Sequence, residues 1–385
     1  MGPLSGVRVV ELGVVVAGPS ATSMMAGLGA DVIKVEPPDG DPWRGASTPA
    51  LFEHDNRGKR SVCLDLSQPD ARDVMEQLLA GADVFLTNVR PGGLARIGLD
   101  HESVLARHPR LVYAQATGYG HTGPAADRAG YDIGAYWARS GFAATVVGEG
   151  VEPPVPRPGM GDHVAALALF SAVNAALFER TRTGSGRMVS TSLMRAGTFV
   201  VGSDLSVHLD GLNHLPGRRR LIGNPMLGCY KAGDGKWFFL LGLQHERHWP
   251  KLCAAIGRPE LADDPRLGTT AEVMRHQGEV LELLDAAFAE HTLDEWAEIF
   301  DVHDVWWDPV QSLADVVADP VLEAVGTITT DVDGRRVVAP PFDIEGWDEP
   351  LGRVPELGEH TELVLLDLGY DWDRIIALKD TGAIP

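Results

Sequence analysis

The sequence is poor in cysteine and in positive charge. Its three cysteines, Cys63, Cys229 and Cys253, lie far apart and form no CxxC pair. This spacing argues against a disulfide framework or a zinc site and fits a reducing cytoplasm. Lys and Arg total 33 against 54 Asp and Glu, giving a formal net charge of -21. Such a charge repels nucleic acid and anionic lipid surfaces, so an anionic ligand would need a local basic site.

Long hydrophobic runs and export signals are also lacking. The most apolar stretch, residues 164–178, contains Ser171 and Asn174. It is shorter than the roughly 20 residues that cross a bilayer, so it predicts a buried helix. The amino terminus has no cationic segment followed by an apolar core. We therefore expect a cytoplasmic protein that is not bound to a membrane.

Nucleotide-binding motifs are absent as well. Neither GxGxxG nor GxxxxGK[ST] occurs, so a phosphate-bearing ligand must be held in another way. The segments "DNRGKR" and "NVRPGGLARIG" place basic residues beside predicted strand ends, although such charges are also common on ordinary solvated surface. The candidate anion-binding residues are Arg57, Lys59, Arg60, Arg90 and Arg96.

What is present along the first 120 residues is an alternation of strands and helices. The segments "VRVVEL", "GPSATSMMAGLGA" and "DVIKVE" predict strand, helix and strand, and "RSVCLDL", "PDARDVMEQLLA" and "ADVFLTN" repeat the pattern. Gly29 is expected to end the first of these helices, and Ser67 to cap the second. The pattern predicts an α/β fold with a Rossmann-like, doubly wound, mainly parallel sheet, whose ligands bind at the strand carboxyl ends.

The pattern changes beyond about residue 200. Residues 1–200 are predicted to form a large Rossmann-like domain, and residues 201–225, which include "NHLPGRRRLIGNP", a linker. Residues 226–330 begin with a hairpin around Asp234-Gly235 and predict a smaller α+β domain. The last segment, residues 331–385, is amphipathic and needs a larger body to cover it.

A single acid is conspicuous in "PGMGDHVAALALF". Asp162 directly precedes a long apolar run, which is typical of a helix N-cap. A carboxylate at a helix amino terminus is also held in place and kept ionised, as a carboxylate nucleophile requires. We therefore predict both roles for Asp162.

The histidines give weaker signals. No Ser or Cys nucleophile motif accompanies His121 or His163, so a structural or surface role is expected for both. His245 and His248 lack further ligands at a useful spacing. No metal site is predicted.

Several ordered segments together resemble one known family. They include "LSGVRVVELGVVVAGPSATSMMAGLGADVIKVEPPDGDPWR", "NRGKRSVCLDL", "ADVFLTNVRPGGLARIGL", "GYDIGAYWARSGF" and "GDHVAALALFSAVNAALFERTRTGSG". Over nearly its whole length the chain resembles the class III (CaiB/BaiF-type) coenzyme A transferases, a family that includes formyl-CoA transferase, carnitine CoA-transferase and the α-methylacyl-CoA racemases. The resemblance implies an interlocked homodimer in which the carboxyl terminus returns to the large domain.

The resemblance also implies site residues. It makes Asp162 the catalytic aspartate of the family's "GD" motif, and it pairs Tyr131 with Asp132 on the substrate side. Coenzyme A, carried by an acyl-CoA substrate, is the implied cofactor, and free carboxylic acids are the other substrates. With the basic candidates above, the expected CoA-binding residues are Val15, Val16, Ala17, Arg57, Leu64, Asn88, Val89, Arg90, Arg96 and Ile97.

The expected reaction is transfer of CoA between carboxylic acids through an aspartyl anhydride and an aspartyl-CoA thioester on Asp162. Two alternatives stay open. Racemases of the family pair the aspartate with a histidine where this chain has Tyr131, whose ordinary pKa of about 10 makes it a poor proton exchanger at neutral pH. A catalytically silent acyl-CoA-binding protein would use Asp162 as a helix cap alone.

Overall fold

The computed structural model describes residues 2–147, 150–212, 224–347 and 350–385. The chain divides into two compact units. Unit 1 comprises Met1–Ala143, Pro154–Leu205 and Glu323–Pro385, and unit 2 comprises Ala144–Pro153 and Ser206–Leu322. The segment predicted as a linker begins with a helix, Gly202–Leu209, and its residues 213–223 lie outside the described part of the chain.

Unit 1 is built on a six-stranded sheet. Its strand order is β3-β2-β1-β4-β5-β6, and all neighbouring strands are parallel. This confirms the predicted α/β class with a mainly parallel sheet. The order reverses between β1 and β4, which opens a crevice at the carboxyl ends of these strands. The strands are β1 Arg8–Leu12, β2 Asp31–Glu36, β3 Arg60–Cys63, β4 Val84–Thr87, β5 Val112–Thr117 and β6 Met188–Ser192.

Both faces of the sheet are covered, which explains why its central strands are nearly continuous apolar runs. Val9 and Val10 of β1 point to opposite faces and enter different core clusters. On the Val10 side pack the helices Pro69–Ala80, His101–Arg107, Thr361–Asp367 and Trp372–Asp380. On the Val9 side pack the first helix, Ala17–Gly27, and the long helix, Met160–Thr183.

One of two expected helix ends is confirmed and the other is wrong. The first helix ends at Gly27 with Leu28 as its C-cap, and Gly29 follows at φ +90°, where its N–H donates to the carbonyl of Ala26 at 2.9 Å and ends the helix as predicted. The N-cap of Pro69–Ala80 is Gln68, without a side-chain bond, while the backbone N–H of Ser67 donates to Asp65 Oδ1 at 2.9 Å. Proline at the first helical position needs no capped N–H, so the chain does not depend on a serine cap there.

The remaining elements of unit 1 are short strands and helices. They include an antiparallel hairpin of β10 Ile328–Thr330 and β11 Arg336–Val338. Other helical segments are Pro42–Gly45, Pro49–His54, Pro91–Arg96, Ile133–Ala138 and Leu193–Val200. The segment Ile133–Ala138 is a turn of π-helix, a feature frequent at functional sites.

Unit 2 has its own apolar core around an antiparallel sheet of order β7-β8-β9. The strands are β7 Leu227–Lys231, β8 Trp237–Leu241 and β9 Trp307–Pro309. The hairpin expected around Asp234-Gly235 joins β7 to β8. Its helices include His245–Ala255, Pro259–Asp263, Thr270–Arg275, Gln277–Phe288, Leu293–His303 and Leu313–Ala318.

The long helix is long and apolar enough to cross a membrane by length and composition alone. One such helix is weak evidence, since core helices of soluble proteins have the same character. Ala166, Leu169 and Val173 of this helix are fully buried in the core cluster that contains Val9 of β1. The predicted buried helix is therefore present, with one face packed against the sheet.

Candidate active site

The long helix delivers Asp162 to its site. The N-cap of this helix is Gly159 at φ 78°, and no side chain caps it. Asp162 is the third residue of the helix. The predicted cap role of Asp162 is therefore wrong, because the helix begins after Gly159, three residues earlier than the apolar pattern indicated. Gly161 is required by packing, since a Cβ there would lie 2.4 Å from Cγ of Tyr136.

Asp162 lines a cavity of about 320 Å³. The cavity lies at the carboxyl ends of three adjacent strands, β1, β4 and β5, next to the crevice where the strand order reverses. Backbone and side chains from each strand end contribute to it. Its lining residues include Val14, Val15, Val16, Ala17, Pro42, Asn88, Arg90, Thr117, Gly118, Arg128, Tyr131, Asp162 and Leu193.

The Asp162 carboxyl is half-buried, and no described residue donates a hydrogen bond to it. Burial, together with the negative charges of Asp132 and Asp55, raises its pKa to about 7 against the opposing pull of His163. The sequence had suggested a carboxylate kept ionised by the helix dipole. Desolvation and two neighbouring acids outweigh the dipole, so this carboxyl is half protonated near neutral pH.

The neighbouring acid Asp132 connects the segment Ile133–Ala138 to the start of the long helix. Its Oδ1 accepts a hydrogen bond from the backbone N–H of Ile133 at 2.7 Å, and its Oδ2 accepts one from Gly161 N–H at 3.3 Å. Tyr131 lines the cavity and is 69% exposed. The predicted pair is thus brought to Asp162, with Tyr131 at the cavity and Asp132 bonded to the start of the long helix.

His163 faces the other way. It lines a separate cavity of about 200 Å³ that also contains His54 and Arg57. Its Nε2 lies 3.1 Å from Oδ1 of buried Asp55, and this hydrogen bond raises the pKa of His163. His54, Asp55 and His163 have possible metal-ligand atoms within 4.8 Å of one another. Within this cluster, the Asp55 oxygen is already in hydrogen-bond contact with His163.

The turn after β1, residues 13–16 and here named the β1 turn, forms one wall of the cavity. Asn88, which follows β4, bonds both polar groups of Val14: Oδ1 accepts from the Val14 N–H at 2.9 Å, and Nδ2 donates to the Val14 carbonyl at 2.7 Å. Asn88 therefore bridges the crevice between β1 and β4. Val16 and Ala17 place the amino terminus of the first helix on the same wall.

Arg90 and Arg128 are the cations that line the cavity among the described residues. Both are exposed, and neither forms an ion pair within the described part of the chain. Arg90 donates to the carbonyl of Asp127 at 3.3 Å, and the Arg128 guanidinium lies 5.1 Å from the ring centroid of Tyr119. Sequence reasoning missed Arg128, although its position three residues before Tyr131 in "DRAGYD" offered a signal.

The other basic cluster does not reach this cavity. Arg57 is buried and pairs with Asp331 at 2.8 Å and Glu53 at 3.4 Å. Lys59 is buried against Glu11 at 2.8 Å, and Arg60 pairs with Asp31 at 2.6 Å. The structure thus gives each of these three expected anion-binding groups an acidic partner within unit 1.

Four further expected CoA-binding residues lie outside the cavity lining. Leu64 is fully buried in the core, and Val89 packs partly against the same core cluster. Arg96 is exposed at the end of the helix Pro91–Arg96, and Ile97 is its C-cap. The residues that the structure does bring to the cavity with Asp162 are Val15, Val16, Ala17, Asn88, Arg90 and Tyr131.

A doubly wound parallel sheet with a cavity at its switch point defines an α/β protein that binds a ligand at the carboxyl ends of its strands. Comparison with known families then identifies the chain: residues 4–361 match the model of CoA-transferase family III. The protein belongs to this family, and the predicted resemblance is confirmed.

Relatives and solved structures agree with this assignment. The chain is 32% identical to (R)-2-hydroxy-4-methylpentanoate CoA-transferase of Clostridioides difficile, over 99% of each chain. It is 30% identical to cinnamoyl-CoA:phenyllactate CoA-transferase of Clostridium sporogenes, over 97% of this chain and 95% of that protein. A CaiB/BaiF family protein from Brucella suis superposes with a TM-score of 0.83 at 31% identity, covering 95% of this chain and 99% of that one. These findings support a CoA-transferase that uses CoA thioesters.

Proposed function

We propose that this protein transfers CoA from an acyl-CoA to a second carboxylic acid, with Asp162 as the nucleophile. The observation that carries the proposal is the half-buried Asp162 carboxyl in the switch-point cavity, without a hydrogen-bond donor among the described residues. A carboxylate in a cavity that no protein donor engages is free to attack a bound thioester. A buried structural carboxylate would normally be paired, as buried charges are elsewhere in this unit.

The steps balance without an external reagent. An Asp162 carboxylate oxygen attacks the thioester carbonyl, the C–S bond breaks, and CoA leaves as thiolate from a mixed anhydride. The thiolate then attacks the aspartyl carbonyl, which releases the first acid and leaves aspartyl-CoA. The second carboxylate then attacks the carbonyl of aspartyl-CoA, which releases CoA thiolate and forms a new mixed anhydride. The thiolate attacks the acyl carbonyl of this anhydride, which gives the new acyl-CoA and restores the Asp162 carboxylate.

The surroundings of Asp162 assist these steps. Its raised pKa of about 7 means that the ionised form is more basic than an ordinary aspartate and hence a stronger nucleophile. The amino terminus of the first helix, at Val16 and Ala17, offers backbone N–H groups on the same wall for developing negative charge. Arg90 and Arg128 are placed to attract the phosphates of CoA in an acidic chain.

The test is covalent labelling of Asp162. A panel of acyl-CoA thioesters, including those of hydroxy acids and dicarboxylic acids, is offered to the protein, followed by hydroxylamine. An anhydride or thioester at Asp162 becomes a hydroxamate, which mass spectrometry locates on its peptide. The thioester that produces the label identifies the acyl donor.

Two variants control this experiment. Asp162→Asn removes the nucleophile but not a cap, since Gly159 is the N-cap, so the fold and CoA binding should persist while label and transfer vanish. Asp100→Asn is the matched control, because Asp100 caps the helix His101–Arg107 outside the cavity and Asn caps about as well. Wild-type transfer by Asp162→Asn would contradict the covalent mechanism, whereas CoA binding by the wild-type protein without transfer or label for any thioester of the panel would favour the silent alternative.

The racemase alternative requires a second proton-exchanging group facing the substrate. His163 is adjacent to Asp162 but lines the other cavity and bonds to Asp55, and Tyr131 occupies the cavity instead. Incubation of a 2-methylacyl-CoA with the protein in deuterium oxide should therefore leave the α-position essentially unlabelled. Rapid labelling that depends on Asp162 would favour racemisation.

We also propose that the protein acts in the cytoplasm as a homodimer. Large apolar side chains on helices of unit 1 are exposed, with Phe178 at 65% and Phe199 at 84%. Exposed apolar side chains of this size are often covered by a partner. Light scattering of the purified protein should give twice the mass of one chain, and a monomer at micromolar concentration would contradict the proposal.

A further inference from the structure

The β1 turn contains an unusual backbone conformation. Val15 lies at φ 65°, in the left-handed region. A β-branched residue rarely adopts this region, because its side chain collides with its own backbone. Such strain persists only where the surroundings hold it in place, and here it lies in the wall of the cavity that contains Asp162.

A buried carboxylate holds the strained residue. Both oxygens of Asp41 lie 3.1 Å from the Val15 backbone nitrogen and accept its N–H. Asp41 is 1% exposed, and the next residue, Pro42, lines the cavity. The carboxylate therefore stands directly behind the cavity wall.

Lys34 of β2 fastens the same turn from inside the protein. Its fully buried ammonium group donates to Asp41 Oδ2 at 3.0 Å and to the Gly13 carbonyl at 2.8 Å. Its third bond goes to Glu11 Oε1 at 2.9 Å. One lysine thus engages the carbonyl of Gly13 directly and the N–H of Val15 through Asp41.

Further ion pairs anchor this arrangement. Glu11 also accepts from buried Lys59 at 2.8 Å, while Glu36 accepts the Asp41 N–H at 3.1 Å and pairs with Arg44 at 2.7 Å. Three acids and three bases therefore balance. Each of these charges has an opposite charge within hydrogen-bond distance, which offsets the cost of removing it from water.

We propose that Asp41 and Lys34 are positioning residues, which hold Val15 in its left-handed conformation so that the β1 turn is preformed for the acyl-CoA. The inference rests on the proposed CoA-transferase function. Without Asp41 the turn relaxes, because a β-branched residue favours negative φ. Binding of CoA must then restore the strained turn, so affinity falls while the chemistry at Asp162 is less affected.

The test is a double-mutant cycle between Asp41 and Val15. Calorimetric titration with free CoA should give roughly tenfold weaker binding for Asp41→Ala, and an intermediate loss for Asp41→Asn, which keeps one acceptor oxygen. Val15→Gly should restore most of the affinity in the Asp41→Ala background, because glycine adopts positive φ without strain. Because Val15 itself lines the cavity, the effect of Val15→Gly with Asp41 present is measured separately, and the rescue is the difference between the two backgrounds.

This rescue separates positioning from a general structural role. If Asp41 merely balanced charge, glycine at position 15 could not repair its loss. Equal effects of Val15→Gly with and without Asp41, or unchanged CoA affinity in Asp41→Ala, would overturn the inference. If Asp41→Ala does not fold, Asp41→Asn with and without Val15→Gly gives the same comparison with a smaller expected rescue.

Failure of the proposed function can be distinguished from failure of this inference. If the wild-type protein does not bind CoA, the function is wrong, and the turn is then followed by hydrogen exchange in a peptide covering residues 10–20. Asp41→Ala should exchange faster there than wild type, and a crystal structure should show negative φ at Val15. Wild-type exchange and an unchanged φ would refute the positioning role independently of CoA.

Discussion

Two acids in unit 1 are desolvated to different extents, and their pKa values move in opposite directions. Burial alone would raise the pKa of Glu11, yet the ammonium groups of Lys34 and Lys59 lower it to about 2. Burial also raises the pKa of Asp162, but there the nearest charges include Asp132 and Asp55, and the value reaches about 7. The sign of the neighbouring charges decides the difference, so Glu11 is held as a structural anion whereas the ionised form of Asp162 is disfavoured.

The contrast extends to the bases. Lys34, Lys59 and Arg57 are buried with acidic partners, whereas Arg90 and Arg128 are exposed at the cavity. Paired charges stabilise this fold mainly by avoiding an uncompensated buried ion. The two cavity cations have no ion-pair partner in the described part of the chain, and they are the groups that we propose for an anionic substrate. The buried bases and the cavity bases carry the same charge, so the presence or absence of an acidic partner among the described residues is what distinguishes them.

The largest effect is expected from breaking the buried group. Lys34→Met leaves Glu11 and Asp41 without one of their cations, and we expect the free energy of unfolding to fall by about 3–5 kcal/mol. Urea denaturation at pH 7 measures this loss. Arg60→Met, which breaks a partly exposed pair with Asp31, is the control and should cost less than about 1 kcal/mol. Equal losses would show that burial of the pair does not matter.

If Asp162 is the nucleophile, its ionisation should be visible in the pH dependence of transfer. With a pKa of about 7, Asp162 loses its proton between pH 6 and pH 8, so kcat/KM should rise roughly tenfold over that range. Initial rates at low acyl-CoA concentration measure this. His163→Gln removes a positive charge that lowers the pKa of Asp162, so its profile should shift to higher pH. A flat wild-type profile would mean that the carboxyl is already ionised at pH 6.

The ionised Asp162 carboxylate should lower the free energy of unfolding at pH values above its pKa. Its folded pKa of about 7 exceeds the ordinary value of 3.8, so protonation favours the folded state and stability is lost as pH rises toward and through 7. Asp162→Asn should therefore be more stable than wild type by at most about 1–2 kcal/mol at pH 8. The stability difference is kept this small because the carboxyl is half-buried and water screens part of its interactions. The difference should disappear near pH 4. Thermal or urea unfolding at both pH values tests this, and an equal difference at both would contradict it.

The sheet could be predicted because its signals are local. Alternating apolar strands and amphipathic helices, such as "DVIKVE" and "PDARDVMEQLLA", follow from burial on both faces of a parallel sheet. Gly29 could be predicted as a helix end for the same reason, because a glycine at positive φ is favoured directly after a helix C-cap. The cap at Ser67 was chosen by residue type alone, and Gln68 stands at the N-cap instead, directly before Pro69.

The site could be predicted only in part. Asp162 was identified from its motif and indeed lines the cavity, although its reactivity remains a proposal. Its raised pKa could not be predicted, because it depends on Asp132 and Asp55, which only the fold brings near. The same holds for Arg57: its partner Asp331 is 274 residues away in sequence, so no local pattern reveals that the charge is already paired.

The smallest effects are expected from the exposed cations at the cavity. Arg90→Ala and Arg128→Ala should each weaken CoA binding about twofold to fivefold, since exposed charges contribute modestly in water. The loss should shrink as salt is raised, because the attraction to phosphate is screened. Calorimetric titration with CoA at low and high salt measures both effects. Arg60→Ala is the matched control, because its guanidinium is already paired with Asp31 and lies outside the cavity lining. If Arg60→Ala weakens binding as much as Arg128→Ala, the paired cluster contributes to CoA binding as the sequence first indicated, and the division between paired and free cations is wrong.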